Sequence, residues 1–285
     1  MDFSYYPGCS LESTAAEYGE SVKAVFKALQ VELHELEDWN CCGASSAHSL
    51  NRALSLALPA RNLAIAQGSG RDVVVPCAAC YNRLKMADYE MQHNEERRAF
   101  IEQVVDFEYT GTVAVRPVLD VIGNAIGLER IKALVTRPLT GLNVVSYYGC
   151  LLVRPPEVAQ FENPENPTLM SEVLTALGAT VHRWSHTTEC CGGGLMLPKP
   201  DVAVRLASRL VERAREAGAD AMVTSCPMCQ MTLEMRQNDS GQPMPLFFIT
   251  ELMGLAFGLD AAPSWWKKHL IDPTQLLQSV GLNKV

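Results

Sequence analysis

The chain has 285 residues, of which 48% are apolar and 20% are charged, and its formal net charge is -8 with a pI of about 5.3. These values predict a globular protein with a substantial core, and the acidic balance argues against nucleic-acid binding, which needs clustered Lys and Arg. Because the sequence shows neither a basic and then apolar leader after Met1 nor a run of about eighteen apolar residues, we expect no signal peptide, no membrane span and a cytoplasmic location.

The elements predicted for the first half of the chain alternate between strands and helices. Short apolar runs predict the strands, and apolar residues at helical spacing predict the helices. Strands are expected at residues 3–6, 31–36 and 73–75. Helices are expected at residues 15–29, 50–67 (with Gly68 as the stop) and 78–100.

The second half repeats this order of elements. Strands are expected at residues 142–148, 181–184 and 221–224, and helices at residues 168–177 and 202–217. The sequence therefore predicts an α/β fold of two pseudo-twofold-related repeats, residues 1–138 and 139–285. Each repeat is expected to have a mostly parallel sheet with helical crossovers.

The ten cysteines follow the same division. Five lie in each half: Cys9, Cys41, Cys42, Cys77 and Cys80, then Cys150, Cys190, Cys191, Cys226 and Cys229. Each set contains a Cys-Cys-Gly triplet, and in both sets 34 residues separate the second cysteine of the triplet from a closing Cys-x-x-Cys. Disulfides are rare in a reducing compartment, and thiols that act as small core hydrophobes show no such order. The pattern predicts a duplicated binding unit.

Each cysteine group is predicted to follow the C-terminal end of a strand. Because open parallel sheets bind ligands at that edge, three metal-binding loops should bring together the five sulfurs of each half. Gly43 and the glycine run at 192–194 allow sharp turns beside the paired cysteines. These glycines also allow peptide N–H groups to approach the sulfurs.

Five thiols per site bear on the identity of the metal. Structural zinc takes four ligands in a closed tetrahedron, and a conventional cubane cluster also takes four thiolates. Five thiolates, two of them adjacent, favour an iron–sulfur cluster of unusual shape in which some sulfurs bridge two irons. Zinc in one or both halves and redox-active disulfides are the alternatives.

The whole sequence resembles the B subunit of heterodisulfide reductase. The resemblance rests on the doubled Cys-Cys-Gly motif, on the opening Tyr-Tyr-Pro-Gly-Cys, and on further segments at residues 58–66, 111–116, 252–258 and 272–273. The doubled motif is specific to a broad superfamily. The other segments favour this branch of it over the glycolate or lactate oxidase-type relatives.

The resemblance implies one noncubane [4Fe-4S] cluster per motif, held by its five cysteines, and a catalytic role for all ten cysteines through the two clusters. It implies reduction, or in reverse formation, of a sulfur–sulfur bond. The substrate would be the coenzyme M–coenzyme B heterodisulfide or a bacterial counterpart in sulfur metabolism. The partners in the complex would be a ferredoxin-like iron–sulfur protein, the C subunit, and a flavin-containing protein, the A subunit.

Two other functions would keep the same cysteines. One is an electron relay without a substrate site in a quinone- or organic-acid-linked oxidoreductase, and the other is a zinc-organised interaction scaffold. Cleavage of a disulfide needs both sites within reach of adjacent sulfurs. We therefore expect the clusters to face each other across the pseudo-twofold, with Met196, Met228 and Tyr81 near the cavity between them.

Four side chains near the motifs have two possible roles each. His48 and His186 would supply a hydrogen bond or a proton near a cluster, or would be ordinary structural groups. Trp39 and Trp184, which both precede a Cys-Cys-Gly triplet, would shield the clusters from water or pack in the core.

Three polar residues of the C-terminal tail are also candidates for contacts outside the core. His269 is expected at the surface or at an interface. Lys267 and Lys268 would attract an anionic substrate or partner, or form a solvated basic patch.

Overall fold

The structure, a computed structural model, describes residues 1–44, 47–237 and 243–282, and only the backbone of His48. Within these residues the chain forms two four-stranded sheets in which every pair of neighbouring strands is parallel. One sheet comes from each half of the chain. The α/β class and the two repeats predicted from the sequence are confirmed.

The described residues of the first half form four strands and seven α-helices. The strands are β1 (Asp2–Tyr5), β2 (Glu32–Glu35), β3 (Val73–Val75) and β4 (Val115–Pro117), in the spatial order β2-β1-β3-β4. The helices are α1 (Ala16–Ala28), α2 (Ala47–Leu50), α3 (Arg52–Ser69), α4 (Ala78–His93), α5 (Glu95–Val105), α6 (Val118–Asp120) and α7 (Leu128–Leu134). A π-helical turn, Val121–Ile126, joins α6 to α7.

The second half follows the same plan. Its strands are β5 (Asn143–Tyr147), β6 (Thr180–Val181), β7 (Ala221–Thr224) and β8 (Leu246–Phe248), in the order β6-β5-β7-β8. Its helices are α8 (Pro156–Ala159), α9 (Leu169–Ala176), α10 (Pro200–Glu216), α11 (Pro227–Arg236), α12 (Ile249–Phe257), α13 (Ala262–Trp265) and α14 (Thr274–Ser279). The central strands β3 and β7 are buried along their whole length, as expected for parallel strands with both faces covered.

In each half, a helical segment that follows the fourth strand packs on the other half. Helix α12, which follows β8, packs on α1 of the first half, and α7 with the π-helical turn packs on α9 of the second half. The turn approaches α9 so closely that a Cβ on Gly123 would overlap the side chain of Leu169. One hydrophobic core runs through both halves, so each repeat completes its packing with residues of the other.

Local capping explains where the helices differ from the sequence prediction. The helix expected over residues 78–100 is divided into α4 and α5 because the Asn94 side chain accepts a hydrogen bond from the Arg97 N–H at 2.9 Å and starts a new helix. Helix α3 ends at Gly70, whose φ is 66°, and not at Gly68. The strand expected at 181–184 is reduced to β6, and β4 and β8 are too short to give a clear pattern.

Candidate metal centre

Three loops at the C-terminal edge of each sheet carry the cysteines. In the first half Cys9 follows β1, the pair Cys41-Cys42 follows β2, and Cys77 follows β3, while Cys80 lies in the first turn of α4. The second half repeats these positions. All ten cysteines are free thiols, and the strand ends converge as the sequence predicted.

The five thiols of the first half form one connected group. The Cys9 and Cys41 sulfurs are 3.8 Å apart, and those of Cys42 and Cys80 are 3.2 Å apart. Cys41 is hydrogen-bonded to Cys42, and Cys77 to Cys80. These contacts link the three loops through sulfur atoms alone.

The second half has the equivalent contacts. The Cys191 and Cys229 sulfurs are 3.5 Å apart, Cys150 is hydrogen-bonded to Cys190, and Cys226 to Cys229. Because the same pairs of positions meet in both halves, the duplication visible in the sequence is also a duplication of the site.

The two groups of thiols meet at their inner edges. Cys77 and Cys226, which occupy equivalent positions in the two halves, lie close enough for each thiol to shift the pKa of the other. Both are buried, at 4% and 2% exposure. The two groups of thiols therefore lie close together where the halves meet, and a facing arrangement of bound clusters stays a prediction.

Tyr18 of α1 lies beside this contact. Its hydroxyl is 3.3 Å from the carbonyl oxygen of Pro76 and 3.3 Å from that of Ser225, the residues that precede the two contacting cysteines. Its ring stacks on Phe248 with the centroids 4.1 Å apart. One fully buried phenol thus bridges the two loops of the metal centre.

Opposite ends of each site differ in exposure. The four cysteines nearest the contact between the halves are buried, namely Cys77, Cys80, Cys226 and Cys229. Cys9, Cys41 and Cys190 are exposed, and Cys150 is half-buried. Each site therefore has a dry inner edge and an outer edge that solvent reaches.

Backbone N–H groups and helix ends favour thiolates in both halves. The N–H of Gly43 donates to the Cys41 sulfur at 3.5 Å, and that of Gly192 donates to the Cys190 sulfur at 3.3 Å. These contacts confirm the predicted approach of peptide groups to the sulfurs. Cys77 and Cys226 are the N-caps of α4 and α11, where the helix dipole stabilises negative charge.

Hydrogen bonding between the thiols also shifts their acidity. Contacts with Cys41 and then Cys80 lower the pKa of the Cys42 thiol to about 3. A hydrogen bond with Cys150 lowers the pKa of Cys190 to about 6. The pKa of each donor, Cys41 and Cys150, is raised, mainly by the same hydrogen bonds. In each half these contacts favour ionisation of one thiol, and the thiolate is the form of cysteine that binds metals.

A pair of tyrosines, which the sequence pattern did not single out, holds the Cys-Cys loops. The Tyr6 hydroxyl donates to the Asn40 carbonyl at 2.8 Å, and the Tyr147 hydroxyl donates to the Glu189 carbonyl at 2.7 Å. Both acceptors directly precede a cysteine pair. The signal available in the sequence was the tyrosine three residues before Cys9 and three before Cys150.

The two tryptophans contact these tyrosines. Trp39 meets the Tyr6 ring edge to face at 5.5 Å, and Trp184 meets the Tyr147 ring at 6.1 Å. Both tryptophans are half-buried. They pack on the residues that hold the Cys-Cys loops, which combines the two roles considered for them.

Two glycines leave space for sulfur. A Cβ on Gly8 would lie 2.9 Å from the Cys80 sulfur, and a Cβ on Gly149 would lie 3.0 Å from the Cys229 sulfur. Their φ angles are 72° and 67°. Glycine is therefore required before the first cysteine of each set for two reasons, its backbone conformation and the closeness of the sulfur.

The contacts of the remaining candidates do not test the roles expected for them. The Tyr81 hydroxyl donates to the Ala159 carbonyl in the buried interface between the halves, and Met196 and Met228 both contact Thr232 of α11. His186 bonds to its neighbour Ser185. The side chain of His48 lies outside the described residues.

The expectation for His269 was wrong. Its side chain is fully buried between the carboxylates of Glu234 and Glu251. Burial is possible because these carboxylates match the charge of the imidazolium, a long-range pairing that the local sequence did not reveal. Lys268 forms a half-exposed ion pair with Glu20 at 2.6 Å.

The donor set suits an iron–sulfur cluster. Each half offers five thiols, N–H donors to sulfur, and one dry edge, which are the features that hold and tune such clusters. The thiols are in pairwise contact, and among the described residues no three His, Cys, Asp or Glu side chains surround a common point as ligands of one metal ion.

Comparison with known proteins identifies the family. Residues 3–85 and 144–234 both match the cysteine-rich domain family CCG. The chain therefore belongs to this family and carries its domain twice. Over nearly its whole length it is also related to the B subunit of heterodisulfide reductase, as the sequence resemblance indicated.

Three relatives and one solved structure give the extent of the similarity. The 8-methylmenaquinol:fumarate reductase membrane anchor subunit of Wolinella succinogenes is 33% identical, covering 96% of this chain and 99% of its own length. The B subunit of a ferredoxin/F420H2-dependent CoB-CoM heterodisulfide reductase of Methanosarcina acetivorans is 28% identical over 97% of this chain and 96% of its own. A heterodisulfide reductase B-subunit-like protein of Archaeoglobus profundus is 28% identical over 91% and 92%.

The solved structure is that of a hypothetical protein from Helicobacter pylori. It superimposes on the present chain with a TM-score of 0.72 and 10% sequence identity. The superposition covers 95% of the present chain and 52% of the Helicobacter protein, so the present chain spans about half of that protein. This similarity concerns the fold alone. In the described part of the present chain, no helix has the length and apolar character needed to cross a bilayer.

Proposed function

We propose that the chain is the iron–sulfur subunit of a heterodisulfide reductase-type complex. Each half would bind one noncubane [4Fe-4S] cluster through its five cysteines. Together the clusters would reduce, or in reverse form, a sulfur–sulfur bond. The observation that supports the proposal is the closeness of Cys77 and Cys226, because clusters bound beside them would be near enough to serve one two-electron reaction.

The clusters would supply one electron each. The residues of the chain would hold the two sites at a fixed separation through Tyr18, keep the Cys-Cys loops in place through Tyr6 and Tyr147, and exclude water from the inner edge. Reduction of a disulfide consumes two electrons and two protons and releases two thiols. The exposed outer edges give a substrate or an electron-donating partner access to each site.

The partners follow from the same proposal. A ferredoxin-like iron–sulfur protein, the C subunit of the complex, would deliver electrons to the exposed edge of one site, and the flavin-containing A subunit would supply it with electrons. The substrate would be the coenzyme M–coenzyme B heterodisulfide or a related disulfide or thiol of bacterial sulfur metabolism. The relatives in Methanosarcina, whose names include this heterodisulfide, support the assignment.

A second function is favoured by the relative from Wolinella. That protein belongs to an 8-methylmenaquinol:fumarate reductase, and at 33% it is more similar than the two heterodisulfide reductase relatives described above, both at 28%. In this alternative the same two clusters would relay electrons between a quinol and an organic-acid reductase. The chain would then have no disulfide site of its own.

One experiment separates the two functions. The protein is loaded with iron and sulfide, reduced, freed of excess reductant, and mixed anaerobically with the coenzyme M–coenzyme B heterodisulfide, with a simple aliphatic disulfide, or with a menaquinone analogue. Disulfide reduction predicts reoxidation of the clusters by a disulfide with release of two thiols per two electrons. Reoxidation by the quinone with no thiol release would replace the disulfide proposal with the relay.

A further inference from the structure

A group of four ionisable side chains lies buried away from the cysteines. They come from four segments that pack together where the halves meet: Glu17 of α1, Glu234 of α11, Glu251 of α12, and His269 after α13. All four are buried. None of them has a role in the function proposed above.

His269 is the centre of this group. Its Nε2 is 3.0 Å from Glu251 Oε1, and its Nδ1 is 3.5 Å from Glu234 Oε1. The second carboxylate oxygen of each glutamate accepts a backbone hydrogen bond. Glu251 Oε2 accepts one from the Phe248 N–H at 2.8 Å, and Glu234 Oε2 accepts one from the Leu270 N–H at 2.9 Å. The positions of both carboxylates are therefore set by the backbone.

One contact in the group is incomplete. Among the described residues, neither His269 Nδ1 nor Glu234 Oε1 makes a hydrogen bond, although the two atoms face each other with their side chains 0% and 1% exposed. Unsatisfied buried polar atoms are costly. A proton on either atom would reduce that cost, so the pair forms a ready proton acceptor.

The charges in the group do not balance. One imidazolium faces three carboxyl groups, and a buried excess of negative charge is unfavourable. Burial raises the pKa of Glu234 to about 7 against the opposing effect of His269, and burial also raises the pKa of Glu17. Burial lowers the pKa of His269, but the carboxylates of Glu251, Glu234 and Glu17 outweigh it and raise that pKa to about 9. Near neutral pH the group shares a proton.

Other ionisable groups around this one have their own partners. Lys268 pairs with Glu20 of α1, and Asp272 accepts hydrogen bonds from the backbone and hydroxyl of Thr274. Tyr18, also on α1, is bonded to the carbonyls beside the metal centre. The proton balance of the group therefore depends mainly on its own four members, with a smaller effect of Lys268 on the pKa of Glu17.

Helix α11 connects the group to the second cysteine site. The helix starts directly after Cys226, holds Cys229 in its first turn, and reaches Glu234 five residues later. Five residues of α-helix span about 7.5 Å along the axis. At a distance of about 10 Å and an effective dielectric of about 20, one added unit of negative charge increases proton affinity roughly tenfold.

We propose that Glu234, His269, Glu251 and Glu17 form a buried proton-binding site that takes up one proton when the iron–sulfur site at the start of α11 receives an electron. This inference rests on the proposed cluster function. The electron comes from a one-electron iron–sulfur donor, the proton comes from solvent water, and the proton is held by the carboxylate of Glu234. When the electron passes to the substrate, the proton returns from Glu234 to solvent water.

A cavity lies beside the segment that bonds to Glu234. A cavity of about 700 Å³ is lined by Leu270, Asp272 and Met244. Leu270 is the residue whose N–H bonds to Glu234. The cavity therefore reaches the segment that touches the proton-binding site, which would give a proton from solvent access to Glu234.

Redox titration of the cluster-loaded protein from pH 6 to pH 9 tests the proposal. In the wild type the potential of one cluster should fall as the pH rises, by about 59 mV in total, the one-electron equivalent of a tenfold change in proton affinity. Glu234→Gln keeps the shape and the backbone hydrogen bond but binds no proton, so its potential should stay flat. Infrared difference spectra on reduction should show a protonated carboxyl signal in the wild type that Glu234→Gln lacks.

The matched control is Glu212→Gln, which removes an exposed carboxylate from α10, the helix packed against α11. It should keep the pH dependence of the wild type. A flat wild-type profile, or the same slope in Glu234→Gln, would overturn the inference while leaving the clusters in place. A protein without iron and sulfide would instead overturn the proposed function, so iron analysis separates the two failures.

Discussion

The phenol of Tyr18 in the first half lies 3.3 Å from the backbone carbonyl oxygen of Ser225 in the second half. Ser225 directly precedes Cys226, one of the two cysteines through which the sites touch. The same hydroxyl is 3.3 Å from the carbonyl of Pro76, the equivalent residue of the first half. The spacing of the two proposed clusters therefore depends on a residue that binds neither of them.

Tyr18→Phe should loosen this connection. The change leaves two buried carbonyls without their hydroxyl partner, so we expect a loss of about 1–3 kcal/mol of stability, seen as a lower denaturant midpoint. The magnetic interaction between the reduced clusters should also change in electron paramagnetic resonance spectra. Tyr5→Phe is the control, because the Tyr5 hydroxyl is buried without a partner among the described residues. An equal effect of both variants on the spectra would contradict the bridging role.

Gly8→Ala should damage the first site alone. The new Cβ would lie 2.9 Å from the Cys80 sulfur, so we expect loss of about four of about eight irons, the content of one four-iron site out of two. Gly149→Ala should do the same to the second site, where the distance to the Cys229 sulfur is 3.0 Å. Gly70→Ala is the control, with a similar φ of 66° and no atom within 4 Å. It should keep all its iron, and iron loss there would show that backbone strain is the cause.

Cysteine variants should reveal which thiols the sites share. Cys42→Ser should remove or alter the first cluster and leave the second, because Cys42 contacts only thiols of its own half. Cys77→Ser should disturb the spectra of both clusters, because Cys77 touches Cys226. The measurement is iron content with Mössbauer spectroscopy of each variant. Loss of both clusters in Cys42→Ser, in a protein that stays folded by circular dichroism, would contradict the two-site arrangement.

His269→Gln should reduce stability in a pH-dependent way. The pKa of His269 is raised from 6.5 to about 9 in the folded chain, so its contribution is complete below pH 6.5 and is lost as the pH rises through about 9. We expect the free energy of unfolding of the wild type to exceed that of the variant by about 2–3 kcal/mol at pH 7 and by much less at pH 9.5. Unfolding midpoints at the two values check this. His93→Gln, at an exposed histidine, is the control, and a gap for His269→Gln that stays constant with pH would exclude the charged pairing.

The sequence was most informative where the pattern is local and repeated. The sequence predicted the two sets of cysteines, the strand before each set, and the glycines beside Cys42 and Cys191. Each of these features is marked by residues adjacent to it in the sequence and occurs twice. The ends of α3 and α4 were misplaced, since the capping by Gly70 and Asn94 competes with equally plausible stops nearby.

Long-range contacts could not be predicted from the sequence alone. Nothing local to His269 indicates that Glu234 and Glu251 will surround it, and nothing local to Tyr18 indicates that it will reach Ser225. Each of these contacts joins residues far apart in the chain, so no local sequence pattern marks it. The duplicated cysteine pattern could be predicted from the sequence, whereas these long-range contacts were visible only in the structure.

The most direct test of the central claim is the metal and sulfide content of the protein purified without oxygen. Two five-thiol sites with one four-iron cluster each predict about eight irons and about eight sulfides per chain, no stoichiometric zinc, and a brown colour. Mössbauer spectra should show two four-iron sites of noncubane type. One or two zinc ions per chain with no acid-labile sulfide would contradict the account.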